Sequence, residues 1–223
     1  MGSTDHEPVN PAVSAALDLD GDPGRVGAFY DRWAADYDHD VTNEGYGLPA
    51  MVVETVKTAV ATGARSIGPE EMVIDAGCGT GLVGLALHDA GHRNIHGLDL
   101  SAEMAAVARS RGVYATVVAG YDLTGPVPDD RLDSAALVVV GGVFTLGHVP
   151  PETLGTVAAL VRDGGLLVVS TRRAYQDQTS FVEVQRRLVD DGVLELRCHL
   201  IDRPYTADST GDYWAWTVTG AAS

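Results

Sequence analysis

Cysteine is scarce: the sequence has two, Cys78 and Cys198, far apart in the chain. That excludes a disulfide framework and argues against a zinc site. It points to a reducing, cytoplasmic home. Positive charge is short as well. Lys and Arg number 15 against 31 Asp and Glu, for a formal net charge of −16 and a sequence pI near 4.6. Binding to nucleic acid asks for a basic face, so no nucleic acid partner is expected. No apolar run approaches the ~18 residues of a membrane span, so no membrane partner is expected either. The opening MGSTDHEPVN has neither a basic start nor an apolar core, which argues against a secretory signal. Internal repeats and low-complexity segments are absent.

What is present suits one soluble domain with a cap: 223 residues, 45% of them hydrophobic and 21% charged. Residues 1–24 mix Pro, Gly, Asp and Ser, with one short apolar stretch from Ala12 to Leu19, and read as a flexible tail. RVGAFYDRWAADYDHDV places Val26, Phe29, Tyr30, Trp33 and Tyr37 at helical spacing, predicting one amphipathic helix. A second helix is predicted over Leu48–Ala61, with Pro49 in its first turn. Residues 25–66 thus form a helical cap.

From residue 67 onward the pattern alternates. Strands are predicted over 72–76, 94–100, 113–120, 132–142 and 166–172. Helices fall between them, one opened by Ser101 as N-cap with Glu103 in its first turn. PPETLGTVAALVRDGG reads as a helix with prolines at its start and glycines past its end. SFVEVQRRLVDDG is a further helix. VLELRCHLIDRPY and DYWAWTVTGA have no helix between them and read as an antiparallel pair. The fold class is α/β: a Rossmann-like, doubly wound, seven-stranded sheet, mostly parallel, with an antiparallel C-terminal hairpin.

The segment VIDAGCGTG sits where the first strand meets a helix. Gly77, Gly79 and Gly81 let backbone turn sharply and approach a ligand without Cβ contacts. Two cofactor classes compete for such a loop. A dinucleotide fingerprint is matched by GTGLVG, from Gly79, with Asp99 about 20 residues on. That register starts late and leaves Asp75 and Gly77 without a role.

The other pattern, D-x-G-x-G-x-G from Asp75 to Gly81, resembles motif I of the class I S-adenosylmethionine (SAM) dependent methyltransferases. Further segments resemble that family's later motifs in order: HGLDLSAEM, VVAGYDLTGPVP and RDGGLLVVST. FYDRWAADYD resembles the aromatic helix that covers SAM in small-molecule members. Residues 67–223 are then the SAM-binding domain.

The resemblance implies SAM as cofactor and a role for each matching residue. Asp75 and the loop with Gly77, Cys78 and Gly79 would receive the methionine part. Asp99 would take both ribose hydroxyls. Leu100 and Met104 would flank adenine, with Asp122 and Leu123 at its amine and ring edge. Gly141 would face the reacting methyl, and Tyr30, Trp33 and Tyr37 would lid the site, with aromatic faces near the sulfonium. Asp122 also reads as a plain turn residue before Gly125–Pro126. Cys78 also reads as simple packing.

Methyl transfer to oxygen or nitrogen often needs a base, and the candidates are His148 after the fourth strand and Tyr37 in the cap. Arg172, Arg173, Tyr175, Tyr205 and Trp214 are expected around an acceptor pocket. Asp36, Asp38, His39 and Asp40 read as a solvated acidic face, and no metal site is expected. The fourth strand, VVVGGVF, lacks an N-P-P-Y-type tetrad, and no long insertion supplies a substrate domain. The expected substrate is a small molecule, of the kind met in secondary metabolism. One alternative is an intramolecular cyclase that consumes SAM and releases methylthioadenosine. A silent SAM-binding module is another. The oligomeric state is open.

Overall fold

The run AALVVV has no polar alternation, which suits a strand covered on both faces. In the computed structural model, which describes residues 11–125 and 134–220, it lies in β4 (Ala135–Phe144), at the centre of a seven-stranded sheet. The strand order is β3-β2-β1-β4-β5-β7-β6. The other strands are β1 (Val73–Ala76), β2 (Ile95–Asp99), β3 (Thr116–Ala119), β5 (Val161–Thr171), β6 (Leu194–Pro204) and β7 (Thr210–Val218). Strands β1 to β5 pair in parallel, and β7 runs antiparallel to both β5 and β6. Chain direction across the sheet reverses between β1 and β4. That is where such sheets open a crevice at their carboxyl ends.

Helices cover both faces. On one, α4 (Leu48–Ala61) and α5 (Leu82–Asp89) bury Leu48, Val52 and Leu87 against Leu137 and Val139 of β4. On the other, α7 (Thr153–Ala158) and α9 (Phe181–Asp190) pack with Phe144, Trp214 and Trp216. Helix α6 (Ala102–Ser110) starts where the sequence places it, with the Ser101 hydroxyl accepting from Met104 N at 3.1 Å. The opening ten residues, Pro126, residues 132 and 133 of the predicted fourth strand, and Ala221 lie outside the described residues.

Two predicted helices come out differently. The single helix predicted through residues 25–41 is two: α2 (Pro23–Trp33) and α3 (Tyr37–Asn43). Asp22 caps α2 by accepting from Arg25 N at 2.9 Å. The break follows Trp33, whose indole N–H donates to Asp40 Oδ2 at 2.7 Å, folding α3 back on α2. The helix predicted to run up to Gly164 stops at Ala158, and Arg162–Gly165 belong to β5. Ala135 pairs with Val161 but Leu137 with Leu166, so these residues bulge from the ladder. Helix α8 (Arg173–Gln178), unforeseen in the sequence, follows β5. The apolar stretch at Ala12–Leu19, read as part of a flexible tail, overlaps α1 (Pro11–Leu17).

Candidate active site

The carboxyl ends of β1, β2, β3 and β4 open into one cavity, roofed by α1, α2 and α3. Gly77 and Gly79 form its floor, with Asp99, Leu100 and Met104 on one side and Asp122 and Leu123 beyond them. Gly141, Gly142, Thr145 and His148 contribute the wall after β4. Tyr30, Trp33 and Tyr37 close it from the cap, and Val13, Ala16 and Leu17 of α1 add an apolar edge.

The loop is bare for a reason. Gly77 has φ +75°, and a Cβ there would meet Val143 Cγ2 at 2.3 Å. Gly79 has φ +53°, with open space where its Cβ would be. Gly81 caps α5 in the left-handed region at φ +91°. Asp99 is held by the same loop: its Oδ2 accepts from Gly79 N at 2.7 Å and its Oδ1 from Ser101 N at 2.8 Å. Each oxygen keeps a further lone pair. Burial raises the Asp99 pKa, against these two bonds. Asp122 Oδ1 is engaged by Thr124 N and Oγ1 at 2.8 and 2.7 Å, an Asx turn.

His148 is buried at the cavity wall. Its Nδ1 lies 2.9 Å from the Leu146 carbonyl and its Nε2 2.8 Å from the Tyr30 hydroxyl. A carbonyl only accepts, so Nδ1 carries the proton and Nε2 accepts from Tyr30. Burial lowers the His148 pKa and raises that of Tyr30, so both are neutral near pH 7. Tyr37 also lines the cavity, packed edge-on against Trp33 at 4.8 Å between ring centroids. Tyr46 and Tyr205 reach the same wall: a Cβ on Gly142 would lie 3.2 and 3.3 Å from their hydroxyls.

The structure does not bring every candidate together. Asp75 is fully buried and away from the cavity wall, its Oδ2 accepting from Tyr114 OH at 2.7 Å. Its Oδ1 has no hydrogen-bond partner, and burial pushes its pKa up to about 7. Cys78 is buried behind the loop, where a Cβ on Gly97 would meet its Sγ at 2.9 Å. Of the five expected acceptor residues, Arg172 and Tyr205 line the cavity. Tyr175 sits in the core and donates to Val149 O at 2.8 Å; Trp214 stacks on His199 at 3.3 Å; Arg173 points to Asp202 at 3.7 Å.

The acidic cluster of the cap is not a uniformly solvated face. Asp38 accepts from Thr80 Oγ1 and pairs with Arg111, which also donates to Thr80 O. This clasp ties α3 to the loop end. No group of three metal-ligating side chains occurs among the described residues, and no described helix is long and apolar enough to cross a membrane. Sequence reasoning missed Tyr46, Thr145 and Arg111. Tyr46 has one signal, its place just before Gly47 and the proline-started α4. Arg111 has none, since its partner is 73 residues away.

A family model described as a methyltransferase domain matches residues 73–165. The human protein named methyltransferase-like protein 27 is 31% identical over 193 residues, covering 84% of this chain and 76% of that protein. Among solved structures, magnesium protoporphyrin IX methyltransferase from Synechocystis PCC 6803 with bound S-adenosylhomocysteine (SAH) aligns with a TM-score of 0.64 at 18% identity, over 88% of this chain and 99% of that one. A TehB-like SAM-dependent methyltransferase from Corynebacterium glutamicum ATCC 13032 aligns at 0.56 and 20% identity, over 89% and 100%. At these identities the two structures share the fold.

Proposed function

The chain belongs to the class I SAM-dependent methyltransferases, and from that premise we propose that it methylates an oxygen or nitrogen of a small organic acceptor. The observation carrying the proposal is the hydrogen-bonded run from Leu146 O through His148 to Tyr30, on the wall of the cavity that Gly141 also lines.

The residues present fit the cofactor. A carboxylate able to take a vicinal diol, Asp99, stands between a bare glycine loop and two apolar side chains, Leu100 and Met104. Gly79 leaves room for a ligand to approach the backbone. In this reading Asp99 holds the ribose hydroxyls, Leu100 and Met104 flank adenine, and Asp122 and Leu123 meet its polar edge. Gly77, Gly79 and the start of α5 face the methionine carboxylate. Asp75 acts from behind, fixing the loop through Tyr114. SAM supplies a methyl group activated by its sulfonium.

The chain's own work is to orient the acceptor and move one proton. Tyr30 takes the acceptor's proton as its own passes to His148 Nε2, and Leu146 O steadies the imidazolium through Nδ1. Tyr37 packs Trp33 over the site and excludes water. The cap of α1 to α3 and the net charge of −16 favour a small acceptor over a nucleic acid. The test is incubation of the pure protein with SAM and pooled metabolite fractions, followed by mass spectrometry. The reading expects SAH together with a product heavier by one methylene. Methylthioadenosine formed from SAM alone would overturn it in favour of the cyclase.

A further inference from the structure

The sheet order divides the cavity. Its cofactor side, in the reading above, runs over β1, β2 and β3. The other side lies over β4 and β5 and is closed by the link between β6 and β7. Neighbouring strands lie about 4.8 Å apart, so Arg172, which follows β5, stands roughly 10 Å across the sheet from the glycine loop after β1. The backbone of Arg172 is thus offset by two strands from the loop N–H groups that suit the methionine carboxylate.

Arg172 is the one Lys or Arg on the cavity wall among the described residues. Arg25, Arg65, Arg111, Arg162, Arg173 and Arg197 are each ion-paired. Arg172, like Arg32, Arg93, Arg109, Arg186, Arg187 and Arg203, has no carboxylate oxygen of a described residue within 4.0 Å of its guanidinium. Its guanidinium lies over the Tyr205 ring instead, 5.5 Å from the centroid. The ring attracts the cation without taking up its N–H donors as a carboxylate would. The neighbouring walls are largely flat and apolar, from Tyr37, Val41, Tyr46 and Val143, and Glu44 also lines the cavity. An unpaired guanidinium at one end of such a lobe, in a chain with twice as many acids as bases, fits a bidentate oxyanion.

We propose that this lobe takes the acceptor, and that the acceptor carries a carboxylate or like oxyanion on a flat apolar body, with Arg172 holding the anion. The proposal rests on the methyltransferase reading, and it makes Arg172 a specificity residue for the acceptor rather than a cofactor ligand.

The test is calorimetry on the full chain saturated with SAH. The probes are 4-hydroxybenzoate, 4-hydroxycinnamate and indole-3-acetate, each against its own amide. SAM is titrated separately into the wild type, Arg172→Gln and Arg172→Lys. At least one acid should bind about 10-fold or more tightly than its amide, as a charge-assisted pair provides. Arg172→Gln should erase that preference, Arg172→Lys should keep part of it, and SAM affinity should stay within twofold throughout. Equal binding of acids and amides by the wild type would overturn the proposal. So would a loss of SAM affinity in Arg172→Gln matching the loss for the acid, which would assign Arg172 to the methionine carboxylate. If the wild type binds no SAM at all, the methyltransferase reading itself fails, a result separate from either.

Discussion

Asp99→Ala is the perturbation whose size follows most directly from the geometry. The Asp99 carboxylate is buried, and each oxygen already accepts one backbone N–H, from Gly79 and Ser101. Two lone pairs remain for the ribose diol. A hydrogen bond to a charged group contributes about 1.5–3 kcal/mol. Burial opposes the charge at this site, which places the pair at the lower end, about 3 kcal/mol together. The Kd for SAM should rise roughly 100-fold. The substitution also leaves two backbone donors without their acceptor, at about 1 kcal/mol each. Thermal unfolding of the ligand-free variant therefore comes first, and should show a lower Tm with an intact cooperative transition. Calorimetry with SAM and with SAH then reads the binding. A folded Asp99→Ala protein that binds SAM within threefold of wild type would refute the placement of the ribose.

Three further outcomes follow from the same structure. Tyr30→Phe and His148→Ala should each lower kcat by about 100-fold with SAM affinity little changed, and the wild-type rate should rise with pH through a limb below 6.5, because burial lowers the His148 pKa; a flat profile over pH 5–8 would count against His148 as the base. Gly147→Ala places a Cβ 2.1 Å from Leu19 O at φ +76°, at the point where Gly21 N bonds Gly147 O, so it should pry the cap from the β4 loop and weaken SAM binding at least 10-fold; unchanged binding would show that this clasp is not needed. Asp75 has a folded pKa of about 7 against 3.8 as the ordinary value, so the native state keeps a proton that the unfolded chain loses. Its contribution to stability is full below pH 3.8 and is lost as pH rises through 7. Asp75→Asn should accordingly gain stability over wild type between pH 5 and pH 8 in urea unfolding, whereas parallel profiles would contradict the burial argument.

Much of the sheet was legible because parallel strands buried on both faces leave uninterrupted apolar runs, as in β4, and because Ser101 and the glycine loop mark where strands hand over to helices. The cap was harder. The apolar spacing from Val26 to Tyr37 continues through the break after Trp33, and the Trp33–Asp40 bond and the Asp38 clasp to Thr80 and Arg111 set the path of α3. Arg162–Gly165 read as a helix end because glycines usually stand there; the register shift between β4 and β5 absorbs them into a strand. At the site, residue type was legible and direction was not. Asp75 and Cys78 sit inside the loop motif, yet strand alternation turns Asp75 toward Tyr114, and Cys78 packs behind the loop. Arg111 reaches its clasp through partners 31 and 73 residues away that no local pattern encodes, and Tyr46 is marked only by its place before Gly47 and α4.

The most direct test of the account is equilibrium titration of the wild-type protein with SAM and, in parallel, with NAD. One saturable SAM site is expected, competed by SAH and weakened by Asp99→Ala, with no binding of NAD. Saturable NAD binding in the absence of any SAM binding would contradict it.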